Sequence, residues 1–357
     1  MISYLLPEVA LNRLVLTSTS LPPIGGLERV VWETAKRLIA DYEVHILTAR
    51  TNETTIENEV TIHSVPPNRP FTLWYSTLLK PKLTSILADI SPSVIHFHQP
   101  LPWAYVLAKV KCPKVLSCHG LYFSLASKRP VRGYLQRFLL PRAIGGADIV
   151  CAPSKWLAEL IGESYNVDCA IIPNGVDTRI FAPMEATARR SNVILYVGRL
   201  VPSKGVEDLL EAAKALPDYE FWLAGNGSGM IKSPPFPNVK LLGPVRDVGK
   251  LALAYNEATL CVFPSYWETF SLVGLEAMAC GRAIIATKLG FSEYVEDGRD
   301  GLIVEPGRPQ ELIQSIKYLI ENESERIQIE RNAREKALKF DWDIITRRYK
   351  ALYEKLL

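Results

Sequence analysis

Cysteine patterning is missing from this chain of 357 residues. The six cysteines, at 112, 118, 151, 169, 261 and 280, form no C-x-x-C pair and stand in apolar surroundings. That excludes a disulfide framework or a zinc knuckle and reads them as reduced core residues. Charge of one sign is scarce as well. A net charge of +3 is too small for an electrostatic footprint on nucleic acid, so no nucleic-acid partner is expected. Residues 1–8 lack a basic segment followed by an apolar stretch, so no signal peptide is expected and the chain is read as cytoplasmic. No apolar run approaches the roughly 20 residues of a membrane span, which leaves peripheral membrane contact at most. The dinucleotide fingerprint G-x-G-x-x-G is absent too. Gly225-Asn226-Gly227-Ser228-Gly229 has the wrong spacing and lies deep in the chain. A dehydrogenase is therefore disfavoured, and this run reads as a loop.

The composition that is present is ordinary for a globular protein with sizeable cores, at 48% hydrophobic and 22% charged residues. The length suits two domains. Strand and helix signals alternate from the start. Residues 13–17 read as a buried strand, 22–26 as a tight turn containing Gly25 and Gly26, and 28–39 as an amphipathic helix. Such a unit opens its loop at the carboxyl edge of a parallel sheet, where side-chain-free backbone lets a ligand come close. Further strands are read at 43–48, 60–65, 94–98, 115–120 and 148–154, with a helix at 73–90. His96 and His98 are two apart and share a strand face, but no third ligand stands nearby, so they read as core or acceptor-side histidines. His119-Gly120 ends another strand at the same edge. The segment 173–192 reads as the linker between domains, with a turn at 174–177.

The second half repeats the pattern. A strand at 193–197 leads into Gly198-Arg199-Leu200-Val201-Pro202-Ser203-Lys204-Gly205 and a helix at 206–215. Arg offers a fork of donors matched to phosphate oxygens and Lys a compact charge, a combination suited to a diphosphate held without a metal. Strands are read at 221–223, 239–245, 259–263, 283–287 and 301–304, and helices at 251–258, 309–320, 323–339 and 341–357. Between the strand at 259–263 and the next helix, a loop carries Glu268. Ser271, Leu272 and Val273 form the helix N-terminus, and Glu276 follows inside the helix. Free N–H groups at such an end attract an anion. Asp341-Trp342-Asp343 begins the last helix, where Asp341 reads as an N-cap rather than a metal ligand.

Taken in order, several pieces resemble the retaining family-4 glycosyltransferases. They are residues 22–30 with Gly25-Gly26, His119-Gly120, Pro153-Ser154, Asn174-Gly175-Val176-Asp177, Gly198-Arg199, Lys204-Gly205, Pro264-Ser265, Glu268 to Glu276, and Ala277-Met278-Ala279-Cys280-Gly281. The resemblance implies the α/β GT-B fold, in which two Rossmann-like doubly wound domains face a cleft and a C-terminal helix crosses back to the first. On that scheme the domains are 1–172 with 341–357, a linker 173–192, and 193–340. It implies that Arg199 and Lys204 bind the donor diphosphate, that Glu276 binds the ribose, and that Glu268 orients the transferred sugar. Phe270, Ser271, Leu272 and Val273 would supply backbone contacts, Val245 would lie beside the base, His119 near the reacting carbon, and Gly25 and Gly26 on the acceptor side. The family commonly has E-G-F-G where this chain has Glu268-Thr269-Phe270-Ser271, so the backbone here must avoid positive φ.

The expected reaction is transfer of a hexose, with retention, from a UDP- or GDP-sugar to a hydroxyl of a glycan, lipid-linked or small-molecule acceptor. No metal and no cofactor are expected. A GT-B epimerase and a non-catalytic sugar-nucleotide-binding protein are the rival readings. The apolar stretch 71–79 and the basic, aromatic stretch 128–142 allow a membrane-surface or lipid-linked acceptor.

Overall fold

The computed structural model describes residues 11–21, 25–48, 54–65, 80–120, 138–185, 187, 190–227, 231 and 233–357. The chain forms two compact units, Met1–Ile172 with Thr346–Leu357, and Pro173–Ile345.

The first unit holds an eight-stranded sheet built from β1 (Asn12–Ser18), β2 (Tyr42–Thr48), β3 (Thr55–Glu57), β4 (Val60–Ser64), β5 (Val94–Phe97), β6 (Lys114–Ser117), β7 (Ile149–Ala152) and β8 (Cys169–Ile171). The spatial order is β3-β4-β2-β1-β5-β6-β7-β8. Among the described residues only β3 on β4 is antiparallel; β1 is parallel to both β2 and β5, with Leu14 opposite Val44 and Val94. Leu14, Val15 and Leu16 are all fully buried. Such a continuous apolar run is what a parallel strand covered on both faces requires. The helix Gly26–Leu38 turns Val30, Val31, Ala35 and Leu38 inward.

The second unit repeats this plan with β9 (Val193–Val197), β10 (Glu220–Ala224), β11 (Val239–Gly243), β12 (Leu260–Phe263), β13 (Ala283–Thr287) and β14 (Leu302–Val304). All are parallel, in the order β11-β10-β9-β12-β13-β14. In each sheet the order reverses beside its first strand, between β1 and β5 and between β9 and β12. Ligands of doubly wound sheets bind outside the carboxyl ends at that reversal.

Several expectations shift in detail. The strands β3 and β8 were not expected; each is three residues long and neither is buried. No apolar run announces β3, and the run Cys169-Ala170-Ile171-Ile172 at β8 is cut short by Pro173. The strand expected at 239–245 stops at Gly243, whose φ is +68°, and Val245 falls in the following loop. The helix expected from 251 starts at Val248, because Asp247 accepts the Lys250 amide at 2.9 Å and caps it. Residues 71–79 and 128–137 lie outside the described residues; 138–144 are helical. Of the helix read at 73–90, Lys80–Ile90 is described.

The turn at 174–177 is tied to the start of the last helix. Val176 donates to Phe340 O at 2.9 Å, and Trp342 N donates back to Val176 O at 3.1 Å. The Trp342 ring lies on Gly175, where a Cβ would sit 2.6 Å away. Asp341 accepts the Asp343 amide at 2.8 Å and the Thr178 amide at 3.2 Å. It therefore caps Trp342–Glu354. From Thr346 on, that helix belongs to the first unit. Its Tyr349 and Tyr353 are buried, and Lys350 pairs with Asp41.

Tyr353 also meets a histidine of the sheet. His96 Nδ1 lies 2.6 Å from Tyr353 Oη, and its Nε2 lies 2.7 Å from Ser117 Oγ. Burial holds the pKa of His96 and His98 well below the ordinary histidine value, and that of His119 at about 4. A histidine kept neutral by folding takes its proton more readily in the unfolded chain. Its contribution to stability is present above pH ~6.5 and is lost as pH falls towards 4. The thermal midpoint is therefore expected to fall across that window. In His96→Gln, which keeps a donor and an acceptor but does not titrate, the fall should be shallower when both are followed by circular dichroism. Equal slopes would remove His96 from the account.

Candidate active site

The two loops that carry the sequence-read charges leave neighbouring strands at the reversal of the second sheet. The loop at 198–205 follows β9, and the loop at 264–271 follows β12; Cys261 is paired with Leu195 between them. The first loop folds through a short 3-10 turn, Pro202–Lys204, and ends at Gly205 with φ +66°. A Cβ there would lie 1.8 Å from the Pro264 carbonyl oxygen. Only glycine permits both the conformation and the approach. The Tyr266 amide donates to Ser203 O at 3.0 Å, which joins the loops again. A third loop packs on the other side, where a Cβ at Gly225 would lie 1.7 Å from Gly198 O. The Gly225-Asn226-Gly227 run is thus a backbone support for the cationic loop, with Asn226 O accepting from Leu200 N at 3.0 Å.

This packing brings Lys204 Nζ and Glu268 Oε1 together as an ion pair, with both side chains mostly shielded from water. Arg199 is exposed. Its carbonyl accepts from Tyr196 Oη at 2.8 Å. Burial pushes the Tyr196 phenol up, with the Glu268 charge adding to it, so the hydroxyl stays a donor. Phe270 is buried against Tyr294 and Phe340. Ser271 is the N-cap of the helix Leu272–Ala279, and its side chain makes no capping bond there. Tyr294 Oη donates to Ser271 O at 2.8 Å and fixes the turn. Leu272 and Val273 form the first helical turn, half-buried. Neither Thr269 nor Ser271 is among the residues with positive φ, as their side chains require. Glu276 is 2% exposed and accepts from Tyr255 Oη at 3.0 Å. Val245, after β11, packs partly buried against the same core.

In the first unit, Gly25 precedes the helix that follows β1. Gly25 and Gly26 are exposed. His119 follows β6 and His98 follows β5. The His98 Nδ1 and His119 Nε2 atoms are 3.1 Å apart, and the rings stack at 5.4 Å between centroids. His98 Nε2 is buried without a hydrogen-bond partner among the described residues. The sequence reading missed the tyrosines at 196, 255 and 294. For Tyr196 and Tyr255 the signal is a phenol in an apolar run, since a buried hydroxyl needs a partner; Tyr294 stands in a polar segment that carries no such signal. Among the described residues no group of three or more His, Cys, Asp or Glu is placed to hold a metal ion.

The family model described as Glycosyltransferase Family 4 matches residues 24–180, and the one described as Glycosyl transferases group 1 matches residues 191–322. An uncharacterized glycosyltransferase of Methanocaldococcus jannaschii is 31% identical over 356 residues, which is 96% of this chain and 98% of that one. The chain belongs to this glycosyltransferase family. An N,N'-diacetylbacillosaminyl-diphospho-undecaprenol alpha-1,3-N-acetylgalactosaminyltransferase of Campylobacter jejuni is 28% identical over 55% of the chain and 57% of its own length. Among solved structures, sucrose-phosphate synthase from Thermosynechococcus elongatus superposes with TM-score 0.85 at 22% identity, over 97% of this chain and 99% of that one. HepE from Anabaena, in complex with UDP and glucose, gives 0.77 at 20% over 96% and 99%. These likenesses show that the glycosyltransferase has the GT-B fold. None of its described helices is long and apolar enough to cross a membrane.

Because Gly205 meets backbone rather than a movable side chain, Gly205→Ala is expected to cost the glycosyltransferase more than about 1 kcal/mol of stability, measured by urea unfolding. It should also lower transfer by displacing Lys204. A variant with wild-type stability and activity would show that the contact with Pro264 is dispensable.

Proposed function

We propose that the glycosyltransferase moves a hexose, with retention, from a nucleoside diphosphate sugar to an acceptor hydroxyl without a metal. The observation that carries this reading is the Lys204–Glu268 ion pair, formed where the loop that also carries Arg199 locks against the loop that leads to the helix start at Ser271, at the reversal of one sheet. Two cations and a helix N-terminus are a complete set of charges for a diphosphate. The relative from Campylobacter is named for a lipid-linked acceptor and the HepE structure for UDP and glucose. The first name supports a lipid-linked acceptor and the second a uridine diphosphate donor. Peripheral contact with a membrane through residues 71–79 and 128–142 belongs to the same reading, as does a cytoplasmic location.

In this reading the bond from the anomeric carbon to the diphosphate oxygen breaks and a bond from that carbon to the acceptor oxygen forms on the same face. The acceptor proton passes to the departing phosphate oxygen. Negative charge grows on the diphosphate, and Arg199, Lys204 and the N–H groups at Leu272 and Val273 stabilise it. Glu268 holds hydroxyls of the transferred sugar, Phe270 and Ser271 lend backbone contacts, and Glu276 holds the ribose with Val245 beside the base. His119, neutral at working pH, meets the sugar as a hydrogen-bonding group rather than as a charge. Gly25 and Gly26 leave room for the acceptor.

Replacing Arg199, Lys204, Glu268 or Glu276 by alanine is expected to cut transfer at least tenfold each, or about 1.4 kcal/mol of transition-state stabilisation. Full activity in the Arg199→Ala, Lys204→Ala double variant would sink the diphosphate assignment. Activity should survive chelation with EDTA; its loss and return with Mn²⁺ or Mg²⁺ would contradict the metal-free mechanism. Proton NMR of the first product should show the anomeric configuration of the donor, and inversion would overturn the same-face step. Turnover of the sugar nucleotide with no acceptor present would favour an epimerase.

A further inference from the structure

Tyr255 lies in the helix Val248–Glu257 and is fully buried. Its ring fills a place in the second core, edge-on to Phe181 at 6.0 Å between centroids, and phenylalanine would fill that place equally well. The hydroxyl is what distinguishes it. Tyr255 Oη lies 3.0 Å from Glu276 Oε2 and 3.2 Å from the Val273 carbonyl oxygen. A phenol has one proton, and the charged acceptor takes it in preference to a carbonyl. Burial pushes the Tyr255 phenol well up, with the Glu276 charge next in weight, so the proton stays in place at any working pH.

We propose that Tyr255 is a positioning residue that aims the Glu276 carboxylate at the ribose and so sets the enzyme's preference for ribonucleotide over 2′-deoxyribonucleotide donors. The inference rests on Glu276 as the ribose-binding carboxylate. Glu276 sits in a helix of eight residues, Leu272–Ala279, and is 2% exposed. A carboxylate with so little water around it is held in orientation by the hydrogen bonds donated to it. Tyr255 supplies one from a separate helix, so the carboxylate is fixed by an element other than its own. A carboxylate has about four lone-pair sites, and the Tyr255 bond takes one of them. With the phenol hydroxyl gone, the carboxylate loses the hold that comes from the Val248–Glu257 helix, and the penalty falls on the ligand that needs both of its hydroxyls held.

The test is calorimetric binding of UDP, 2′-deoxy-UDP, GDP and 2′-deoxy-GDP to the full chain. The wild type should prefer the ribonucleotide at least tenfold, and Glu276→Gln should reduce that preference below threefold. Tyr255→Phe should weaken the ribonucleotide three- to tenfold while changing the 2′-deoxy form less than twofold. Tyr255→Met, which also lacks a donor, should behave alike and guards against a folding defect in one variant. Equal weakening of both nucleotides in the Tyr255 variants would reduce the residue to a structural one, and an unchanged preference would overturn the proposal. If Glu276→Gln itself keeps the wild-type preference, the ribose assignment fails and takes the proposal with it. If Glu276→Gln loses the preference and Tyr255→Phe keeps it, only the positioning role fails.

Discussion

The contact between Gly205 and the Pro264 carbonyl is the constraint on which the candidate site depends. It joins the loops of two strands that are neighbours in the sheet but far apart in sequence. Because the contact is backbone on backbone, neither loop can shift without the other. Lys204 immediately precedes Gly205, and Glu268 stands four residues after Pro264, so the contact fixes how closely the two charges approach. The Gly225 contact with Gly198 does the same for the other end of the cationic loop. Three loops thus form one support, and the charged side chains are mounted on it rather than on flexible tips.

That arrangement explains why glycine runs and charges recur together in this half of the chain. Gly198, Gly205 and Gly225 read in the sequence as parts of loops, and in loops they stand. Their positions also correspond to the points where loops from β9, β10 and β12 touch. The reversal of strand order between β9 and β12 makes those loops neighbours; a sheet ordered by sequence would have separated them. Topology therefore decides which motif residues share a site, and it is the part that spacing alone does not carry.

Much of the fold was legible because parallel strands are continuous apolar runs and the helices between them are amphipathic. The central strands and the helix at Val206–Ala215 were read nearly to the residue. The misses have physical reasons. β3 and β8 are short and unburied, so neither period nor burial marks them. The strand at β11 was read too long because Val245 continues an apolar run past Gly243, where the backbone turns to positive φ. The Asp341 triplet was correctly read as a cap, since its carboxylate closes a helix start and a turn at once. Of the candidate site, the charged members were legible and their pairing was not. Lys204 with Glu268 is a long-range contact, and spacing along the chain says nothing about it.

The tyrosines carry the wider point. Tyr196, Tyr255 and Tyr294 are all buried, and by pattern Tyr196 and Tyr255 are core. Each nevertheless turns one polar atom onto the site's frame: Tyr196 to the Arg199 carbonyl, Tyr294 to the Ser271 carbonyl, and Tyr255 to the Glu276 carboxylate. A hydroxyl in a core costs free energy unless it is bonded, so a phenol at such a position is retained where it has a bond to make. Two of the three bonds go to backbone and hold loop geometry. The third goes to a charged side chain and holds its direction. Phenylalanine would satisfy the packing at all three places, which separates what the core needs from what the site needs and makes the hydroxyls, rather than the rings, the parts that belong to function.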